Sequence, residues 1–328
     1  MSSSNNMRRA IYRSHGGPDV IEIEELALPV PGPGQALVRV AAAGVNFFDT
    51  QARSGLYARP LPAVLGTEGA GTVEAVGPDV TEVAPGDRVV WILAPGSYAS
   101  HVVVPIARIA LLPDFIDFGA AAATFYQALT AHYLGCSTYP LKEGDVALVH
   151  SGAGGVGMLL TQIAKIRGAT VISTVSSPSK VDAARDAGAD HVIVYTGEDF
   201  AARASDLTGG RGVDVVYDAV GLETYEKSME ALRPRGMLVL YGEASGVVPP
   251  FDVRKLLAAG SIYVTRTGLD SYITNRAELL ERADEVFAWM KDGGLRQTIG
   301  ARYSLDETAK AHTALESRAS IGKILLAP

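Results

Sequence analysis

The apolar positions of the chain follow two different rhythms. From Arg9 to about Pro113 they fall in short alternating segments, Ala36–Val40, Gly69–Val76, Arg88–Leu93 and Tyr98–Val104, punctuated by glycine and proline. Alternation at a period of two between turn residues is the pattern of half-buried strands, and it predicts a β-rich lobe. Pro31-Gly32-Pro33-Gly34 and Ala84-Pro85-Gly86-Asp87 are read as connections, because proline presets φ and glycine permits the turn. The alanine-rich stretch Asp117–Leu134 has no internal proline and predicts a long helix leading out of this lobe.

The second rhythm begins at Asp145. Six apolar, β-branched runs follow: Asp145–His150, Thr170–Val175, His191–Val194, Val213–Asp218, Met237–Tyr241 and Ser261–Thr265. Helical patterns over Val156–Arg167, Ser179–Ala187 and Tyr225–Leu232 separate most of them. Strands that alternate with helices imply parallel crossovers and a sheet covered on both faces, so the expected class is α/β with a doubly wound parallel domain. Two amphipathic helices, Arg276–Lys291 and Glu307–Glu316, and a last strand, Lys323–Leu326, complete the pattern.

Composition narrows the function. The 328 residues are 48% hydrophobic and 20% charged, enough for one or two cores. A net charge of -7 lacks the basic field that nucleic acid requires, so nucleic acid is not expected as the main partner. One cysteine, Cys136, allows neither an intramolecular disulfide nor a multi-cysteine zinc site, and a reducing, cytoplasmic setting is expected. Met1–Arg9 is polar and does not read as a signal peptide, and no run of about 18 apolar residues suggests a membrane span.

The first strand of the second stretch runs into Ser151-Gly152-Ala153-Gly154-Gly155-Val156-Gly157, which sets Gly152, Gly154 and Gly157 at G-x-G-x-x-G spacing before a helix. There glycine permits the sharp turn and the approach of backbone to a pyrophosphate, while the helix N-terminus offers unpaired N–H groups. An NAD site would carry Asp or Glu at the end of the next strand. Here that strand ends in Val175-Ser176-Ser177 with Lys180 beyond, which suits a 2′-phosphate and therefore NADPH. From charge alone, Lys180 is equally a solvated residue on a first helical turn.

Zinc dehydrogenases need a thiolate, an imidazole and a further donor at the catalytic ion. The six histidines, His15, His101, His132, His150, His191 and His312, show no pairing at helical metal spacing. Without a Lewis acid, hydride is expected to pass from the cofactor to an acceptor that is already electrophilic, such as a quinone or an activated alkene.

Asn46-Phe47-Phe48-Asp49-Thr50, Arg53-Ser54-Gly55-Leu56-Tyr57, Gly66-Thr67-Glu68, the Gly154–Gly157 turn and Tyr263-Val264-Thr265-Arg266 together resemble the zinc-free, zeta-crystallin-like quinone oxidoreductases of the medium-chain dehydrogenase/reductase superfamily. The resemblance runs from about Met7 to the C-terminus. It implies a β-rich, partly open barrel (GroES-like) catalytic domain, 1–128 with 267–328, and an NADPH-binding Rossmann domain, 129–266, with the cofactor in a cleft and usually a homodimer. In zinc-binding relatives a Cys matches Asn46 and a His matches Thr67.

The same resemblance implies that Lys180, Tyr195 and Arg318 hold the 2′-phosphate, with Ser176 at the strand end beside them. It places Gly154, Gly155 and Val156 along the pyrophosphate, and Asn46, Tyr57 and Thr130 near the nicotinamide and acceptor. Gly242 and Arg266 are further cofactor candidates. Gln51, Ser151-Gly152 and Thr267 depart from the family pattern. The expected reaction is hydride transfer from NADPH to a quinone, with Asn46 and Tyr57 as the catalytic residues that orient it. Reduction of α,β-unsaturated ketones or aldehydes, and non-catalytic NADPH binding, remain alternatives. Strand 261–265 is expected to pair with its copy in a dimer.

Overall fold

The computed structural model describes residues 6–317 and 320–328. The chain forms two compact units, one of 1–126, 273–288 and 297–328, the other of 127–272 and 289–296. The domain bounds implied by the family resemblance give 289–296 to the first unit. The Gln162 amide pairs with the backbone of Arg296 in both directions, at 2.9 and 2.7 Å, and the Trp289 ring lies 5.5 Å from that of His132, which ties the segment to the second unit.

The first unit is β-rich. Its strands in the N-terminal part are β1 (Asn6–Tyr12), β2 (Ile21–Ala27), β3 (Gln35–Val45), β4 (Ala63–Val64), β5 (Glu68–Val76), β6 (Arg88–Ile92), β7 (His101–Pro105) and β8 (Ile109–Leu111). Helix α1 (Phe47–Ser54) follows β3, and α2 (Phe118–Tyr133) carries the chain into the second unit. Strand β3 organises the lobe. At eleven residues it pairs antiparallel with β5 and β7, and with β16 (Lys323–Ala327) near the C-terminus. The larger sheet runs β15-β16-β3-β5-β6-β8, where β15 is Ile299–Ser304, and among the described residues its ends do not pair, so the barrel is open. Trp91, Tyr12, Tyr98, Leu65, Ile109 and Leu326 fill its core, and each large apolar side chain buried there stabilises by about 1.5–3 kcal/mol. The Trp91 indole N–H is satisfied by Ser97 Oγ at 2.9 Å.

The second unit is the doubly wound domain. Strands β9 (Val146–Val149), β10 (Thr170–Val175), β11 (His191–Val194), β12 (Val213–Asp218), β13 (Leu232–Leu240) and β14 (Tyr263–Arg266) form one all-parallel sheet in the order β11-β10-β9-β12-β13-β14. This is the 3-2-1-4-5-6 order of dinucleotide-binding sheets. Every residue of β12 is buried, as a central strand covered on both faces demands. Helices α3 (Gly155–Ile166), α4 (Val181–Asp186), α5 (Phe200–Leu207), α6 (Tyr225–Glu230) and α7 (Arg254–Ala258) are spaced between them. In the tail, α8 (Arg276–Lys291) and α9 (Thr308–Glu316) follow.

Element positions differ from the sequence pattern where turns intervene. Strand β14 starts at Tyr263 because Gly260 and Ser261 hold positive φ, 95° and 58°. Helix α4 starts at Val181, after a 3₁₀ turn led by Pro178, and ends before Gly188 at φ 101°. No helix is long and apolar enough to cross a membrane among the described residues.

Candidate active site

In the second unit the glycine-rich turn joins β9 to α3 at the carboxyl end of the sheet, beside the point where strand order reverses between β9 and β12. Its glycines have separate duties. A Cβ on Gly157 would lie 2.2 Å from the Ser151 carbonyl oxygen, and one on Gly152 would lie 2.5 Å from Ser173 Oγ, so both are required for helix and strand to approach. A Cβ on Gly154 would meet only that same carbonyl, at 3.1 Å. Gly154 is the N-cap of α3 and, being glycine, contributes no capping side chain to the first turn at Gly155 and Val156.

The turn rests on a buried polar network. His150, fully buried and last before the turn, contacts Thr174 Oγ1 at 2.7 Å and Ser228 Oγ at 3.0 Å. Ser228 and Thr224 donate to Asp218, which also accepts from the N–H groups of Val220 and Gly221. Burial holds the His150 pKa below its ordinary value. The ends of β9, β10 and β12 are thereby locked together.

At the end of β10 the structure brings Ser176, Lys180 and Tyr195 to neighbouring strand ends. Lys180 Nζ lies 3.4 Å from Ser176 Oγ, and the N–H of Tyr195 donates to the Val175 carbonyl at 3.2 Å. No carboxylate follows β10 before Asp182. Arg318 lies outside the described residues. Thr130 is buried on α2. Gly242 follows β13, where a Cβ would lie 2.6 Å from the Ala219 carbonyl oxygen. Arg266 ends β14 and donates to the Thr267 carbonyl at 3.0 Å, with Glu243 3.5 Å from its Nε. Ser176, Tyr195, Gly242 and Arg266 stand at the carboxyl ends of strands of one sheet.

Asn46 and Tyr57 belong to the first unit. Asn46 ends β3 and caps α1, its N–H donating to Asp49 Oδ2 at 3.0 Å. Its amide is held on both sides: Lys323 Nζ donates to Oδ1 at 2.7 Å, and Nδ2 donates to Glu68 Oε1 at 2.7 Å. Lys323 also donates to Glu68 Oε1 at 2.6 Å, and both are almost wholly buried, at 3% and 1% exposure. Gly44 makes room for this pair, since a Cβ there would sit 2.3 Å from Glu68 Oε1 and 2.8 Å from Lys323 Cε. Tyr57 folds back over α1, its N–H on the Gln51 carbonyl at 3.3 Å and its ring 5.6 Å from that of Phe48.

Beneath Asn46, buried Asp49 accepts from Tyr98 at 2.8 Å. Burial pushes the Asp49 carboxyl up to about 6 and raises the Tyr98 phenol well above its usual range. The Lys323 ammonium already stands within 2.7 Å of both the Asn46 and Glu68 oxygens, so with Asn46 and Thr67 at the two key positions this donor set does not fit a zinc ion. Glu68 appeared in the sequence only as part of a motif, and Lys323 was not singled out. The available signal was a lone lysine heading an otherwise apolar strand, which when buried demands a carboxylate.

Residues 32–114 match the alcohol dehydrogenase GroES-like domain, and residues 155–286 match the zinc-binding dehydrogenase family. Quinone oxidoreductase of Pseudomonas aeruginosa is 44% identical over 98% of this chain and 99% of its own length. The chain belongs to the quinone oxidoreductase family. Within the medium-chain dehydrogenase/reductases, this family makes it an oxidoreductase. The family fold is shared in full: the crystal structure of Escherichia coli quinone oxidoreductase complexed with NADPH superposes with a TM-score of 0.96 at 42% identity, covering 98% of this chain and all of that one. A 2-haloacrylate reductase from a Burkholderia species is 41% identical over 97% of this chain and 98% of its own.

Proposed function

We propose that this oxidoreductase is an NADPH-dependent quinone reductase that works without a metal. The observation that carries the reading is the Asn46 amide held between Lys323 and Glu68, with an ammonium among the oxygens that would otherwise face a metal. A site so built offers hydrogen bonds and alignment, which suit an acceptor that is already electrophilic. Bound NADPH supplies the hydride. The start of α3, with Gly154, Gly155 and Val156, receives the pyrophosphate on backbone N–H groups. Ser176, Lys180, Tyr195 and Arg318 take the 2′-phosphate, and Thr130, Gly242 and Arg266 border the rest of the cofactor.

Asn46 orients the acceptor. Because Lys323 fixes Oδ1 and Glu68 fixes one side of Nδ2, the amide cannot rotate without losing charge-assisted bonds. Tyr57 supplies a ring face and a phenol to the same acceptor. The family relatives named quinone oxidoreductases support a quinone. The 41% identical 2-haloacrylate reductase supports a second reading, an activated alkene, since the substrate it is named for is one. Association through β14 is also proposed, because this edge strand exposes Tyr263 at 59% and lies close in sequence to Leu257 at 73%.

The test is consumption of NADPH and NADH with a simple benzoquinone in the presence of a chelator. Chelator-resistant turnover selective for NADPH is expected. Lys180→Ala should raise the KM for NADPH by about tenfold while leaving that for NADH nearly unchanged, the loss of one charge-assisted phosphate contact. Turnover with an unsaturated acid and none with quinones would replace the first reading by the second.

A further inference from the structure

Seven arginines lie between Arg8 and Arg88. Six face a carboxylate, as Arg13 Nε faces Glu22 at 3.1 Å and Arg39 Nε faces Glu74 at 2.9 Å. The seventh, Arg59, has no carboxylate partner among the described residues. It is half-buried, and its guanidinium carbon lies 5.1 Å from the centre of the Phe48 ring, which itself lies 5.6 Å from the Tyr57 ring. Phe48, Leu56 and Leu61 are at least a third exposed around it.

A guanidinium stacked on a ring gains about 0.5–1 kcal/mol from the ring face, and this contact uses none of its N–H groups. The five in-plane donors of the fork stay directed outward from the stack, the geometry that binds a carboxylate or sulfonate in two parallel hydrogen bonds. In a protein of net charge -7, a half-buried cation without a carboxylate partner is a selective feature of this surface. We propose that Arg59, with the rings of Phe48 and Tyr57, recognises the anionic group of the acceptor, so that the favoured oxidants are planar unsaturated or quinoid molecules bearing a carboxylate or sulfonate. This rests on the reading of Tyr57 as an acceptor residue. The rings take the planar part and Arg59 takes the anion.

Paired probes test it: 1,2-naphthoquinone and its 4-sulfonate, with the full-length protein, Arg59→Met and Arg59→Lys. Dissociation constants come from quenching of intrinsic fluorescence and KM values from NADPH consumption. The unchanged protein should favour the sulfonate, and added salt should shrink that preference. Arg59→Met should reduce the sulfonate-to-neutral ratio by about tenfold, one charge-assisted contact, with Arg59→Lys between the two. A ratio unmoved by Arg59→Met, because both probes weaken alike or neither does, overturns the proposal, as does failure of the sulfonate to bind the unchanged protein. If both quinones bind in the expected ratio and neither is reduced, the quinone reductase reading fails while the Arg59 assignment stands. An unchanged thermal midpoint in Arg59→Met confirms that the ratio reports recognition and not folding.

Discussion

The two units solve the problem of a binding site by opposite means. In the second, the turn at the carboxyl edge of the sheet is built on backbone: glycines that let chain approach chain, with a glycine at the N-cap of the helix that follows. In the first, the site is a cluster of buried charges, Lys323, Glu68 and Asp49, that holds one neutral amide in a fixed orientation. A backbone site tolerates changes of side chain but no added bulk. A charge site fails when one charge is removed, because the remaining ion is stranded without water.

Lys323→Met gives the largest contrast. It leaves Glu68 buried and uncompensated and should lower unfolding free energy by about 3–5 kcal/mol in a denaturant titration. Lys323→Met combined with Glu68→Met should recover much of that loss. Equal damage in the single and double variants would mean that the pair contributes packing and not charge. Gly157→Ala is the matching insult to the other unit. Its methyl meets a backbone carbonyl at 2.2 Å, and calorimetric titration should show NADPH affinity down by about 1–3 kcal/mol, with the Asn46 cluster untouched.

The smallest effect is a balance between two titrations in the first unit. The Asp49 carboxyl, near 6 when folded against 3.8 unfolded, binds its proton more tightly in the folded state, so its contribution to stability falls as pH rises through that window. His312 is buried, neither ring nitrogen has a hydrogen-bond partner, and its pKa is held down to about 3 by burial and by Arg53. The unfolded chain takes up that proton first, so stability is lost as pH falls from 6.5 towards 3. The two slopes oppose each other between about pH 4 and 6, with His150, also held below its ordinary value, adding to the second. Relative to the unchanged protein, His312→Phe, which keeps a ring against Tyr98, should shift the slope of stability against pH downward, whereas Asp49→Asn should shift it upward. Parallel slopes in the two variants would contradict this assignment.

The difference between the units also explains what could be read from the chain. The six apolar runs lie on the six strands of the parallel sheet, and the glycine turn is found where its spacing put it, because strand, turn and helix are adjacent in sequence. Helix α1, Phe47–Ser54, carries no long periodic pattern; it is legible only through Asn46 as a capping residue before a short helix, and it ends at the left-handed Gly55. The pairing of Glu68 with Lys323 joins residues 255 positions apart; the lone lysine of an apolar strand signals that some carboxylate is needed, but nothing local names Glu68 as that partner. Tyr195 came from resemblance alone, and the structure sets it at the end of β11, one strand from Ser176.

Gly44 turns the charged cluster into a ratchet for descent and for engineering. Exchanging positions 46 and 67 alone would supply new donor atoms to a space where a tethered ammonium already sits. The lysine would have to leave as well, and a single methyl group at position 44 is enough to crowd it and its carboxylate out. Conversion of this site to a metal centre therefore takes three coordinated changes, at positions 46, 67 and 323, not two, and Gly44 in β3 is the point at which the present pair can be crowded out.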